Sequence, residues 1–173
     1  VVITIDDGYR SSYDIAYPIL KKFNYPATMF IYSDFAGSKD ALGAAQMKEM
    51  IESGLVDIQP HSKTHMSMAK RLANESNEAY RKRIDEEIRI PGLQIRKGLG
   101  LPLHTFAYPY GESNEFMISQ LKNAGYSAGV TVVAGGNPAF AYPFKLRRTM
   151  IYGDRDMDTF IRNLRVFSKE NLN

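Results

Sequence analysis

Cysteine and tryptophan are absent from this chain of 173 residues, and no apolar run approaches the roughly 18 residues that a membrane-spanning helix needs. Disulfide staples, thiolate metal sites and thiol nucleophiles are therefore excluded, although a disulfide-free chain can work inside or outside the cell. Charge of one sign is scarce too. Twenty-two basic against 19 acidic residues leave a net charge of +3, too small to argue for nucleic acid as a partner. No basic segment followed by a short apolar stretch opens the chain, so no signal peptide is visible. Val1 already stands inside the strand-like run Val-Val-Ile-Thr-Ile, so a domain trimmed from a longer chain is expected. What is present is ordinary globular composition, 44% apolar and 24% charged, enough for one domain with a real core over residues 1–173.

Short apolar runs rich in β-branched or aromatic residues predict strands at 1–5, 27–32, 56–59, 103–107, 128–133 and 146–152. Between them, helical spacing predicts helices at 18–23, 44–53, 76–89, 114–124 and 156–167, with Gly54 and Gly125 as stop signals. Strand and helix alternate, which argues for parallel strands with right-handed crossovers, an α/β layer or barrel. The stretch 90–103, holding Pro91, Gly92, Gly98, Gly100 and Pro102, fits a second short helix or an irregular loop equally well.

Three short signals carry chemistry. Asp6-Asp7-Gly8 ends the first predicted strand; it reads as a common Asp-Gly turn, or as two acids at a strand end with one binding a metal while the other takes a proton. His61 and His65 follow the third predicted strand, four residues apart and able to grip one cation, and the chain has only three histidines. Two histidines plus one carboxylate make a three-ligand zinc set with a fourth position open. Tyr108-Pro109-Tyr110-Gly111 follows the fourth predicted strand, either as an aromatic turn or as a wall for a sugar that also aims a backbone N–H at an oxyanion.

In this order and at these separations, Asp-Asp-Gly, His-Ser-x-x-His and Tyr-Pro-Tyr-Gly resemble the motifs of the polysaccharide deacetylases, the NodB-homology family or carbohydrate esterase family four. The likeness extends through 6–30, 47–65 and 106–126. It implies a distorted (β/α) barrel of about seven units and a divalent metal, most often Zn2+, assisting removal of acetyl groups from a polysaccharide. Asp7, His61 and His65 match the metal ligands, Asp6 the catalytic base, and Tyr110 the residue whose backbone N–H holds the oxyanion. Tyr9, Tyr32, Tyr108 and Tyr110 are expected near the cleft, with Tyr9, Tyr108 and Pro109 as substrate contacts. The implied substrate is a polymer containing N-acetylglucosamine, and the implied location is the cell envelope or the outside of the cell.

The chain departs from the family pattern at Ala107, which stands where the family has the Arg that pairs with the base. Arg147 and Arg148 are candidates to replace it, pointing to opposite faces of a strand so that only one reaches the cleft. Arg148 is preferred, because Leu-x-Arg ahead of an apolar strand resembles the branch acting on poly-N-acetylglucosamine. The family's late Trp motif and late His have no counterpart, and His104 reads as a core or surface residue, which leaves the proton donor open. An O-acetyl esterase of the acetyl-xylan type, or a degenerate domain that only binds polysaccharide, stand as alternatives. The charges Arg81, Lys82, Arg83, Asp85, Glu86 and Glu87 read as a solvated helix face.

Overall fold

A computed structural model describes residues 1–138 and 141–165. The first strand, β1 (Ile3–Ile5), pairs in parallel with β2 (Ala27–Ile31), and β2 with β3 (Val56–Pro60). A second parallel pair joins β4 (Thr105–Ala107) to β5 (Ala128–Val130). Helices occupy the crossovers: α1 (Tyr17–Phe23), entered through a π-type turn at Ser12–Ala16, then α2 (Ala44–Glu52), α3 (Asn77–Gln94) and α4 (Glu115–Asn123), with α5 (Met157–Leu164) after the last strand. This is the α/β layering expected from alternating strand and helix signals.

Side chains bridge the two sheets where backbone ladders do not. Gln59, fully buried at the end of β3, accepts the His104 and Thr105 amides at 2.9 and 3.2 Å and donates to the Pro102 carbonyl at 3.1 Å. One amide side chain thus satisfies the backbone at the start of β4, where unpaired groups would be costly. On the opposite side, Arg148 donates to the Thr131 carbonyl and the Thr4 hydroxyl, linking the segment after β5 to β1.

Strand alternation divides the interior. Met29, Ile58 and Phe106 face the helices and pack with Met50, Ile84, Ile88, Met117 and Leu121, while Phe30, Ala107 and Val130 form a second, smaller cluster between the sheets. The methionines suit this core because their unbranched thioethers fill irregular gaps.

Two expectations change. The run 146–152 is not a strand: Leu146 makes one parallel bridge to Val130, Arg148 N–H reaches the Val133 carbonyl, and the chain then leaves the sheet. Its apolar members Met150, Ile151 and Tyr152 are exposed, so no second layer covers them. Five strands therefore stand among the described residues. The undecided stretch 90–103 is helical as far as Leu99, because α3 runs on through Pro91 and Gly92 into a π-type turn that ends at left-handed Gly100. Gly92 is needed there. A β-carbon on it would lie 2.8 Å from the Leu103 Cδ1 and Tyr126 hydroxyl atoms that pack against α3. Residues 166–167 of the last predicted helix lie outside the described residues.

Candidate active site

The carboxyl ends of β1, β3 and β4 converge on one edge of the fold, where parallel α/β proteins present their reactive groups. After β1 the chain turns through two consecutive left-handed residues, Asp7 at φ 74° and Gly8 at φ 80°. Gly8 has no substitute, since a β-carbon would fall 2.7 Å from Ile31 Cγ2. The Asp-Gly turn is present, and it leaves both acids near one imidazole: Asp6 Oδ2 lies 3.9 Å and Asp7 Oδ1 3.5 Å from His61 Nε2.

His61 is held from two directions. Its amide donates to the Ile31 carbonyl at 2.7 Å, and its Nδ1 stands 2.8 Å from the Ala107 carbonyl. A carbonyl can only accept, so Nδ1 carries the proton and Nε2 presents a lone pair to the cleft. With 2% of its surface exposed, His61 has its pKa lowered by burial, which keeps the ring neutral.

Nε2 of His61, Nε2 of His65 and Oδ1 of Asp7 form a triangle with sides of 3.2, 3.3 and 3.5 Å. Ligands at about 2.0–2.1 Å from a tetrahedral zinc ion stand about 3.3 Å apart, so the donor set has the size and the chemistry of three corners of such a site. Asp6 stands beside it, with Oδ2 3.9 Å from His61 Nε2.

Arg148 grips Asp6 with two bonds of 2.7 Å, one from each terminal nitrogen, and lies over the Phe30 ring at 5.5 Å. Its side chain is 11% exposed and that of Asp6 20%. Thr4 and Asp6, two residues apart on one face of β1, both touch the same guanidinium. Arg147 points elsewhere, exposed on the surface, with its backbone held by Asn137.

Tyr110 is 61% exposed, has φ 59°, and its ring lies 5.0 Å from that of His65. Tyr9, 49% exposed, packs edge-on against Phe35, and Phe35 stacks on Tyr32, which in turn abuts His65. Together they make an aromatic wall along one side of the donor triangle, in which Phe35 was not anticipated from sequence. Tyr108 and Pro109 are not part of it. Both are buried beneath the cleft, and the Tyr108 hydroxyl donates to the Phe144 carbonyl at 3.0 Å. The reason is strand parity: Tyr108 continues the helix-facing side of β4 that carries Phe106, whereas Ala107 faces between the sheets. His104 is exposed at the opposite end of β4 from Tyr108.

Of the six described non-glycine residues with positive φ, four belong to this edge: Asp7, Ser62, His65 and Tyr110. Each such residue costs on the order of 1–2 kcal/mol, so strain is concentrated where the side chains converge. The expectation for Glu87 also changes. It is buried rather than solvated, and its carboxylate bonds the loop between His61 and His65. Helical spacing offered the missed signal, because Glu87 shares the stripe of Ile84, Ile88 and Pro91.

Comparison with known proteins gives these observations a family. The polysaccharide deacetylase profile matches residues 1–129. The poly-β-1,6-N-acetyl-D-glucosamine N-deacetylase of Staphylococcus epidermidis is 29% identical over 177 residues, covering 98% of this chain and 60% of that protein. The corresponding Staphylococcus aureus enzyme is 29% identical over 76% of this chain and 47% of its own length. The chain thus spans about half the length of the curated relatives it matches. Among solved structures, IcaB from Ammonifex degensii superposes with a TM-score of 0.78 at 30% identity, over 89% of this chain and 68% of that one. The Streptococcus pyogenes deacetylase PplD, solved with acetate, gives 0.83 at 25% identity over 94% and 69%.

Proposed function

This chain belongs to the polysaccharide deacetylase family, and from that premise we propose that it is a metal-dependent hydrolase that removes N-acetyl groups from an N-acetylglucosamine polymer, leaving free amine and acetate. The observation that carries the reading is the donor triangle of Asp7, His61 and His65 beside a second carboxylate, Asp6, clamped by Arg148. Asp7, His61 and His65 would hold the cation, taken to be Zn2+ because the set is two imidazoles and a carboxylate. When bound, such a cation polarises a carbonyl and acidifies water.

The remaining work falls to the chain itself. Asp6 accepts the proton of the attacking water. Arg148 holds both Asp6 oxygens, so the carboxylate stays aimed at the cleft instead of ligating with Asp7. The Tyr110 backbone N–H stabilises negative charge that develops on the acetyl oxygen. The aromatic face of Tyr9 offers a pyranose ring an apolar surface, with Phe35 backing it. An open edge suits a long polymer: concavities of about 320 and 270 Å³ lie elsewhere, between α3 and α4 and between α2 and the end of α3.

Likeness to the staphylococcal enzymes favours the β-1,6-linked polymer as first substrate, and an enzyme acting on such a polymer would work at the cell envelope or outside the cell. One observation favours an O-acetyl esterase as the second reading. His104, the only histidine outside the triangle, is exposed away from the cleft, and an alkoxide leaving group needs less help from an acid than an amine does. The deciding assay measures acetate and free amine released from N-acetylglucosamine oligomers of β-1,4 and β-1,6 linkage, with metal-stripped and zinc-restored protein side by side. Zinc-dependent release of both products supports the N-deacetylase. Acetate from O-acetylated xylan alone would replace it by the esterase, and binding without release from either would replace both by a non-catalytic domain.

A further inference from the structure

Between Ser62 and His65, both left-handed, lie two residues whose amides point away from the cleft. Lys63 N–H and Thr64 N–H each donate to Oε2 of Glu87 at 2.9 Å, and the Thr64 hydroxyl donates to Oε1 at 2.6 Å. Glu87 comes from α3 and is 3% exposed. It makes no ion pair among the described residues. A buried carboxylate with no cation at ion-pair distance is expensive, even with the Lys63 and Arg83 charges acting on it from farther off, and on the stripe of Ile84 and Ile88 an apolar side chain would pack at less cost. Its three hydrogen bonds all go to one loop, so its benefit is spent on that loop's shape.

The two histidines depend on this loop unequally. His61 is anchored without it, through the Ile31 carbonyl and the Ala107 carbonyl. His65 reaches the triangle only after the chain has turned through Ser62, and its own amide is tied back to Ser62 Oγ at 2.9 Å. We propose that Glu87 is a positioning residue for the metal centre: its carboxylate fixes the Lys63–Thr64 amides so that His65 Nε2 faces Asp7 and His61. The proposal rests on reading Asp7, His61 and His65 as ligands. Partners one layer behind a ligand typically change metal affinity 10- to 100-fold.

The test measures zinc and cobalt affinity by chelator competition, the cobalt visible spectrum, and amide hydrogen exchange, all on the whole chain. Glu87→Ala should weaken zinc binding about tenfold or more and change the cobalt spectrum. Glu87→Gln should stay within about threefold, because its carbonyl can accept both amides while its NH2 donates to the Thr64 hydroxyl. A role in stability alone would lower Tm in Glu87→Ala yet leave affinity and spectrum as in the unmodified chain, and that result overturns the proposal. Equal losses in the Ala and Gln variants would overturn it too, since hydrogen-bond geometry would then not be the cause. Should Glu87→Ala not fold, Thr64→Val removes one of the three bonds; weaker zinc binding supports the proposal and unchanged binding overturns it. A wild-type chain that takes up neither metal would sink the ligand reading and with it the metal role of Glu87. Its hold on the loop is then judged from metal-free protein, where faster exchange at Lys63 and Thr64 in Glu87→Ala is the supporting result and unchanged exchange the refuting one.

Discussion

Arg148 and Asp6, 142 residues apart in sequence, meet through two parallel 2.7 Å bonds, and the guanidinium approaches from beyond β5 instead of from β4. Ala107, where the family resemblance leads to the expectation of an arginine, instead packs its small side chain with Phe30 and Val130, and the Arg148 guanidinium lies over the Phe30 ring. If the bidentate clamp aims the base, Arg148→Ala should lower kcat roughly a hundredfold, the typical cost of a misplaced catalytic group. Zinc affinity should be retained. Lys at 148 should restore little, because a point charge cannot hold both carboxylate oxygens. Arg147→Ala should behave as the unmodified chain; a larger loss there than at 148 would move the clamp to Arg147.

The two adjacent acids should separate cleanly. Asp7→Ala, His61→Ala and His65→Ala are each expected to lose stoichiometric zinc by elemental analysis. Asp6→Asn should keep zinc while kcat falls by about 10² to 10⁴, the range for removal of a general base. Full zinc in any of the first three variants removes that residue from the ligand set, and undiminished turnover in Asp6→Asn removes Asp6 as the base.

Tyr108 gives the opposite signature. Its hydroxyl is buried, and burial raises its pKa above the ordinary phenol value, so it remains a neutral donor to the Phe144 carbonyl. Tyr108→Phe leaves that carbonyl unpaired and should cost about 1–3 kcal/mol. At about 2–4 °C per kcal/mol for a chain of this size, the loss is readable as a lower Tm. Both kcat and KM should be unchanged, and a raised KM at wild-type Tm would return Tyr108 to the cleft.

The legible parts of this molecule were those whose signal is local. Ile3–Ile5, Ala27–Ile31 and Val56–Pro60 announce themselves as short β-branched runs, and Asn114 announces α4 because its side chain caps the Met117 amide. Tyr108 and Glu87 were misread for a shared reason: each lies on the buried face of its element, and the identity of the residue, aromatic beside Pro-Tyr-Gly or acidic within a charge run, outweighed its phase. Ile84, Glu87, Ile88 and Pro91 have helical spacing that places the acid inside. The run 146–152 misled in the other direction, since β-branched and aromatic content makes a strand only where a neighbouring strand offers a ladder. Phe35 had no readable cue, because its packing on Tyr9 and Tyr32 depends on the path of the loop after β2.

The loop that follows His65 should show its own pH dependence. Arg83 on α3 grips Glu75 with bonds of 2.7 and 2.9 Å and also reaches the Ser67 and Lys70 carbonyls, so it ties the segment after His65 to the helix that carries Glu87. The bonds from Arg83, ahead of that from the Leu72 amide, hold the Glu75 pKa down at about 2, against 4.5 for an ordinary glutamate. A depressed carboxylate pKa contributes stability that is present above the unfolded value and lost as pH falls through the folded one. The Tm difference between the unmodified chain and Glu75→Gln should therefore be largest above pH about 4.5, shrink as pH falls, and be nearly gone by pH about 2. Thermal melts of the pair across pH 2 to 7 read this directly, with zinc removed so that its pH-dependent release shifts neither curve. A Tm difference that stays constant down to pH 3 would show that the clamp acts through packing of the arginine stem and not through the charge of Glu75.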